Sequence, residues 1–138
     1  RAIHLFDKVV VSVAINSNKD NTLFSDKDRI DFIRTSVSDM PSVEVDSFSG
    51  LMVEHADKHS AQAAIRGLRV LSDFEFEFRM ALMNRSLNKD VSTVFLMPHP
   101  KYTHISSSIV REVASHGGDV STYVPIHVDK ALKSKYNE

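Results

Sequence analysis

Apolar residues fall in short blocks with polar stretches between them, and most blocks read as strands or helices. Val9-Val10-Val11-Ser12-Val13-Ala14-Ile15 is a nearly continuous β-branched run, the pattern of a strand buried on both faces of a parallel sheet. A polar segment, residues 16–22, follows it. Ser25 with Asp28 three places on reads as a capping box, and Ile30, Ile33 and Val37 recur at helical spacing until Pro41 ends the helix. Val43, Val45 and Phe48 alternate with polar residues in a second strand, and Leu51-Met52-Val53 opens a short helix reaching about His59. Residues 63–66 form a third strand and residues 93–97 a fourth, the latter closed by Pro98 and Pro100.

The segment Phe74-Glu75-Phe76-Glu77-Phe78 alternates like a strand, but strong helix formers continue it to Leu87 without a breaker, so a helix is predicted. That helix is apolar on two sides: Phe74, Phe78, Ala81 and Leu82 on one, Phe76, Met80, Met83 and Leu87 on the other. Two apolar faces need two partners. One is this subunit's sheet; the other is either a neighbouring subunit or more of the same domain. Further on, Tyr102 to Ser108 opens a helix carrying Ile109, Val110, Val113 and Ala114, and Gly117-Gly118 supplies a left-handed cap. Residues 119–123 are expected to form a small helix, and residues 128–136 the last one, with Ala131 and Leu132 inward. Residues 1–7 read as the tail of an element that starts earlier.

Strands alternating with helices imply right-handed crossovers and a mainly parallel α/β sheet with helices on both faces. A length of 138 residues suits one domain, residues 1–138. Seventeen Lys and Arg nearly balance eighteen Asp and Glu, which argues against a broad nucleic-acid footprint but not against a local anion pocket. No cysteine occurs, so the chain has no thiol nucleophile and no zinc-thiolate set. Its apolar runs fall far short of the ~20 residues that span a bilayer, so a soluble, cytoplasmic chain without membrane contact is expected.

The chemistry concentrates at Ile65-Arg66-Gly67-Leu68-Arg69 and Asp73. Strand ends of this kind receive ligands, a glycine admits a phosphate close to the backbone, and arginine forks grip phosphate oxygens. Equally, Arg66 and Arg69 are open to reading as solvated or ion-pairing residues. Ser106-Ser107-Ser108 at a helix start gather hydroxyls and amides into an anion site, although plain capping needs only one of them. His55 and His59 stand four apart but show no third ligand, which favours a surface helix over a metal site. His99 and His104 flank a proline-containing loop and are placed to touch a ligand. Neither a G-x-S-x-G elbow, a P-loop nor a G-x-G-x-x-G fingerprint is present.

Taken in order, I-R-G-L-R at residues 65–69, D-F-E at 73–75 with Glu77, F-L-M-P at 95–98, and I-S-S-S at 105–108 with V-R-E-V at 110–113 resemble the bacterial phosphopantetheine adenylyltransferases. The resemblance runs from Arg1 almost to the carboxyl end. It implies a Rossmann-like nucleotidyltransferase fold, a hexamer, and transfer of the adenylyl group of ATP, with Mg²⁺, to 4'-phosphopantetheine, yielding dephospho-coenzyme A. A noncatalytic remnant of that fold, binding nucleotide or coenzyme A, is the alternative. By the same resemblance Lys19 contacts pantetheine phosphate and the reacting phosphates, Arg66 binds the same substrate and Met52 lines its arm. Gly67, Leu68 and Arg69 form the ATP turn, Glu77 is another nucleotide contact, and Tyr102, Thr103, His104, Ile105, Ser106, Ser107 and Ser108 grip the triphosphate. Lys19, Arg69 and Ser107 are the residues expected to act on the reacting phosphates, and no protein ligand to the metal is implied. The family's first strand and its T-x-G-H motif, whose histidine stabilises the transition state, have no counterpart after Arg1 and are expected upstream of it. Lys19-Asp20 also departs from the paired lysines of many relatives.

Overall fold

The computed structural model describes residues 1–15 and 22–136, in two compact units, Arg1–Pro98 and His99–Glu138. In the first, a 3-10 turn at Ala2–His4 leads to β1 (Val9–Ala14), α1 (Asp26–Ser36), β2 (Val43–Phe48), α2 (Met52–Lys58), β3 (Ala63–Gly67), α3 (Leu71–Leu87) and β4 (Ser92–Leu96). The second carries a 3-10 turn at Pro100–Tyr102, then α4 (Ser107–Ser115) and α5 (Ile126–Tyr136). This is the α/β alternation expected, with its strands paired in parallel.

The strands form two parallel pairs. β1 runs beside β2 in the register Val9↔Val43 to Ala14↔Phe48, and β3 beside β4 from Ala63↔Ser92 to Gly67↔Leu96. Among the described residues no ladder joins β1 to β3. β1 falls short of the full burial on both faces that its sequence predicts: Val13 is buried, while Val9, Val10 and Val11 are only partly so. Val53, Ala56, Leu68 and Val91 complete the buried apolar set of the first unit.

Local signals decide where helices begin. The Ser25 hydroxyl accepts the Asp28 N–H at 3.1 Å while the Asp28 carboxylate accepts the Ser25 N–H at 3.0 Å, closing the capping box that starts α1. The helix stops at Ser36, ahead of Pro41, because the chain turns at once: the Met40 N–H reaches the Val37 carbonyl at 2.9 Å. α3 is one unbroken helix through the alternating phenylalanines, as expected. Phe74 stacks on Phe78 and meets Phe95 of β4 edge-on, at centroid distances of 5.5 and 6.2 Å. Apolar residues of α3 stay exposed on both sides, Phe76 and Met83 at 63 % and 57 % on one and Leu82 at 55 % on the other.

In the second unit Val110, Val120 and Leu132 form the buried cluster. α4 ends in a Schellman motif: the Gly118 N–H reaches the Val113 carbonyl at 2.9 Å, the Gly117 N–H reaches Ala114 at 3.0 Å, and Gly117 takes φ 75°. No helix forms over residues 119–123; Asp119 accepts the Ser121 N–H at 3.0 Å, and that side-chain bond makes a turn instead. α5 begins two residues earlier than expected, the Pro125 carbonyl accepting N–H bonds from Val128 and Asp129. No described helix is long and apolar enough to cross a membrane.

Candidate functional site

β3 delivers Arg66 and Gly67 at its carboxyl end, and the first turns of α3 rise directly after them. Arg66 Nε donates to Glu77 Oε2 at 2.7 Å and Nη2 donates to Oε1 at 2.6 Å, a two-bond fork across eleven residues. Glu77 is the more enclosed member, its side chain 13 % exposed against 52 % for Arg66. Donating to the Glu77 carboxylate holds the guanidinium pKa above its ordinary value, against a smaller opposing effect of burial. Arg66 Nη1 has no protein partner among the described residues, so it is available to an anion while the fork fixes the plane of the group.

Arg69 is organised by the helix start. Its Nε lies 3.1 Å from Asp73 Oδ2, its Nη2 3.3 Å from Oδ1, and its backbone N–H donates to Oδ2 at 3.2 Å. Asp73 is the third residue of α3, where a carboxylate also meets the helix dipole favourably. The Arg69 side-chain bond, foremost, holds the Asp73 carboxyl below its usual range. Of the two readings open for these arginines, the structure shows the ion pairs, and the pairs orient both groups.

Leu68 is buried, its N–H donating to the Leu96 carbonyl at 3.2 Å and so extending the ladder past β3. Gly67 beside it is exposed, and a Cβ built there meets nothing within 4 Å. The glycine leaves one flank of the strand end open. Met52 is the first residue of α2 and half-buried. Lys19 lies outside the described residues.

Residues 102–108 gather in the second unit. They do not form one helix, as expected; Tyr102 ends a 3-10 turn, and α4 starts only at Ser107. The reason is the cap: Ser106 Oγ accepts the Ile109 N–H at 3.2 Å, and Ser106 itself is extended. Ser106 and Ser108 hydroxyls lie 2.9 Å apart. Ser107 and Ser108 keep their backbone N–H groups without a partner among the described residues, at the positive end of α4. Upstream, the His99 ring accepts the Lys101 N–H at 3.2 Å, Thr103 Oγ1 donates to the Pro100 carbonyl at 2.8 Å, and Lys101 Nζ sits 5.3 Å from the half-exposed Tyr102 ring. The His104 ring meets Tyr123 edge-on at 6.1 Å.

One grouping escaped the sequence. His55 does not face solvent on a surface helix: it is 9 % exposed and stacks on Phe48 at 4.6 Å, with Asp46 and His59 beside it. Burial first, then the neighbouring His59, pushes the His55 pKa below its ordinary value. Asp46 sits on a strand, where its distance along the chain hides it; an acid amid the apolar positions of β2 was the available signal.

The chain is similar to known proteins along almost its whole length. The Cytidylyltransferase-like family profile matches residues 1–113. Phosphopantetheine adenylyltransferase of Desulfosudis oleivorans is 50 % identical over 135 residues, 98 % of this chain and 80 % of the relative. The protein of the same name from Caldanaerobacter subterraneus subsp. tengcongensis is 49 % identical over 138 residues, all of this chain and 86 % of the relative. That from Staphylococcus carnosus is 46 % identical over 138 residues, covering 85 % of the relative.

Proposed function

The chain belongs to the phosphopantetheine adenylyltransferases within the cytidylyltransferase-like family, and from that premise we propose how its residues carry out the reaction. ATP and 4'-phosphopantetheine react to give dephospho-coenzyme A and pyrophosphate, the penultimate step of coenzyme A synthesis. A phosphate oxygen of phosphopantetheine forms a bond to the α-phosphorus of ATP, and the bond from that phosphorus to the bridging oxygen breaks as pyrophosphate leaves. The near-complete coverage by relatives of one name, at 46–50 % identity, is the observation that carries this reading.

Two anionic reactants repel, so the protein's work is alignment and neutralisation of charge building at phosphorus. Arg66, held by Glu77, presents Nη1 to the phosphate of phosphopantetheine, and Met52 contacts the arm of that substrate. Gly67, Leu68 and Arg69 cradle ATP, with Arg69 held open by Asp73. The fork gives Glu77 a task beside its nucleotide contact: it aims Arg66. Tyr102, Thr103, His104 and Ile105 lead the chain to Ser106, Ser107 and Ser108, whose hydroxyls and amides bind triphosphate oxygens. Lys19 contributes a further cation to the reacting phosphates.

Mg²⁺ enters with ATP. Among the described residues the only grouping of three metal-ligand side chains is Asp46, His55 and His59, and two imidazoles suit this oxygen-seeking ion poorly. The phosphates are its proper ligands, and no step is routed through a protein-held ion. The exposed Phe76 and Met83 side of α3 supports a closed homo-oligomer, a hexamer, and we infer a cytoplasmic enzyme from the reaction proposed.

Mixing the protein with ATP is expected to release pyrophosphate only once phosphopantetheine is added. Binding of coenzyme A without any release would leave the noncatalytic reading instead. In the same assay Gly67→Ala is expected to raise KM for ATP several-fold. Stability should shift by no more than ~0.5 kcal/mol, as for surface substitutions generally, because the added methyl meets no protein atom. An unchanged KM for ATP would show that nucleotide does not approach this strand end.

A further inference from the structure

The arrangement around His55 has a use that adenylyl transfer does not call on. His55 and His59 are one turn apart on α2 and so share a face of that helix. The C-terminus of α2 is locked: the Ser60 N–H reaches the Asp57 carbonyl at 2.8 Å, the Ala61 N–H reaches Ala56 at 2.9 Å, and Ser60 takes φ 51°. Asp46 faces this pair from β2, and the strand register sets Ser12 of β1 directly beside Asp46. One ligand atom from each of Asp46, His55 and His59 lies within 4.8 Å of the others. His59 Nε2 is 2.9 Å from Asp46 Oδ2, and His55 Nε2 is 2.8 Å from Ser12 Oγ.

We propose that Asp46, His55 and His59 form a divalent transition-metal site, with zinc as its occupant, separate from the magnesium that accompanies ATP. Two imidazoles and a carboxylate match the donors zinc takes, with bonds of about 2.0–2.2 Å, which put neighbouring ligands roughly 3.3 Å apart in a tetrahedron. The Asp46–His59 separation is already below that, and no gap among the three exceeds 4.8 Å. Ser12 Oγ, or a water it holds, stands next to the fourth position. The existing bonds supply the outer support such sites need: the Ser47 N–H donates to Asp46 Oδ1 at 2.8 Å, leaving Oδ2 toward the histidines, and Phe48 supports the His55 ring by stacking. Bound metal ties β1, β2 and α2 together, and with them the start of the helix that carries Met52.

The test is titration of the chelator-stripped protein with Co²⁺ alone, followed by visible absorption. The expected result is one equivalent bound per chain, with the visible bands of cobalt in nitrogen and oxygen ligands, and displacement of that cobalt by Zn²⁺. His59→Gln and Asp46→Asn should weaken binding by no less than the roughly 10–100-fold that loss of a mere outer partner costs. His55→Phe, which keeps an aromatic ring against Phe48, should abolish the stoichiometric site while circular dichroism shows the fold intact. His116→Gln, on α4's C-cap, should leave it unchanged. Absence of stoichiometric cobalt binding by the unmodified protein, or binding that survives both His59→Gln and His55→Phe, would overturn the proposal.

Discussion

Arg66→Ala is expected to lower kcat/KM for phosphopantetheine by about 10²–10³, the usual consequence of removing one donor aimed at developing charge. The effect is expected in both KM and kcat, because in the proposed role the same guanidinium binds the phosphate and stabilises it as it attacks. Arg66→Lys keeps the charge but loses the fork with Glu77, so it should recover only part of the loss. Glu77→Gln leaves the cation in place and weakens its aim; a smaller fall, shared between the two substrates, is the expected pattern. Because Glu77 is mostly enclosed, Arg66→Ala also strands a carboxylate, and thermal unfolding should be followed beside the kinetics. Unchanged values of both KM for phosphopantetheine and kcat would remove Arg66 from the site.

Phe76→Glu combined with Met83→Glu is expected to convert the proposed hexamer into smaller species, monomers at low concentration. Both side chains are more than half exposed on α3, and with Met80 and Leu87, also exposed, they leave an apolar surface along one side of the helix. An exposed apolar stretch of this kind is the mark of an interaction surface. In a closed ring each substitution recurs at every copy of the contact, so a few carboxylates multiply into mutual repulsion. Sedimentation velocity reads the result directly. A mass that stays hexameric would place the assembly contacts elsewhere, and a monomeric unmodified protein would remove the proposal altogether.

Much of the frame could be read from the chain because the signals were local. Four apolar or alternating runs became the four strands, and Ser25 with Asp28 marked the α1 start to the residue. The Phe74–Phe78 stretch was read as helix against its own alternation, since propensity over the following ten residues outweighed five alternating positions. Misreadings came where a side chain or a single proline redirected the backbone. Asp119 made a turn of an expected helix, and Pro125 opened α5 rather than standing apart from it. At the site, the sequence identified the arginines but not their pairing, because Arg66 and Glu77 meet only once β3 and α3 have packed. The Asp46–His55–His59 grouping was less legible still, for it depends on which strand position faces which helix turn.

α4 is fastened at both ends, by the Ser106 hydroxyl at its start and by Gly117 and Gly118 at its finish. Nine residues alone in water would be a frayed and short-lived helix. Fastened this way, the amides of Ser107 and Ser108 already point along a settled axis before any triphosphate arrives. In the proposed site an incoming nucleotide therefore need not order the loop that receives it, and more of its contact energy remains to lower the barrier rather than to freeze the chain.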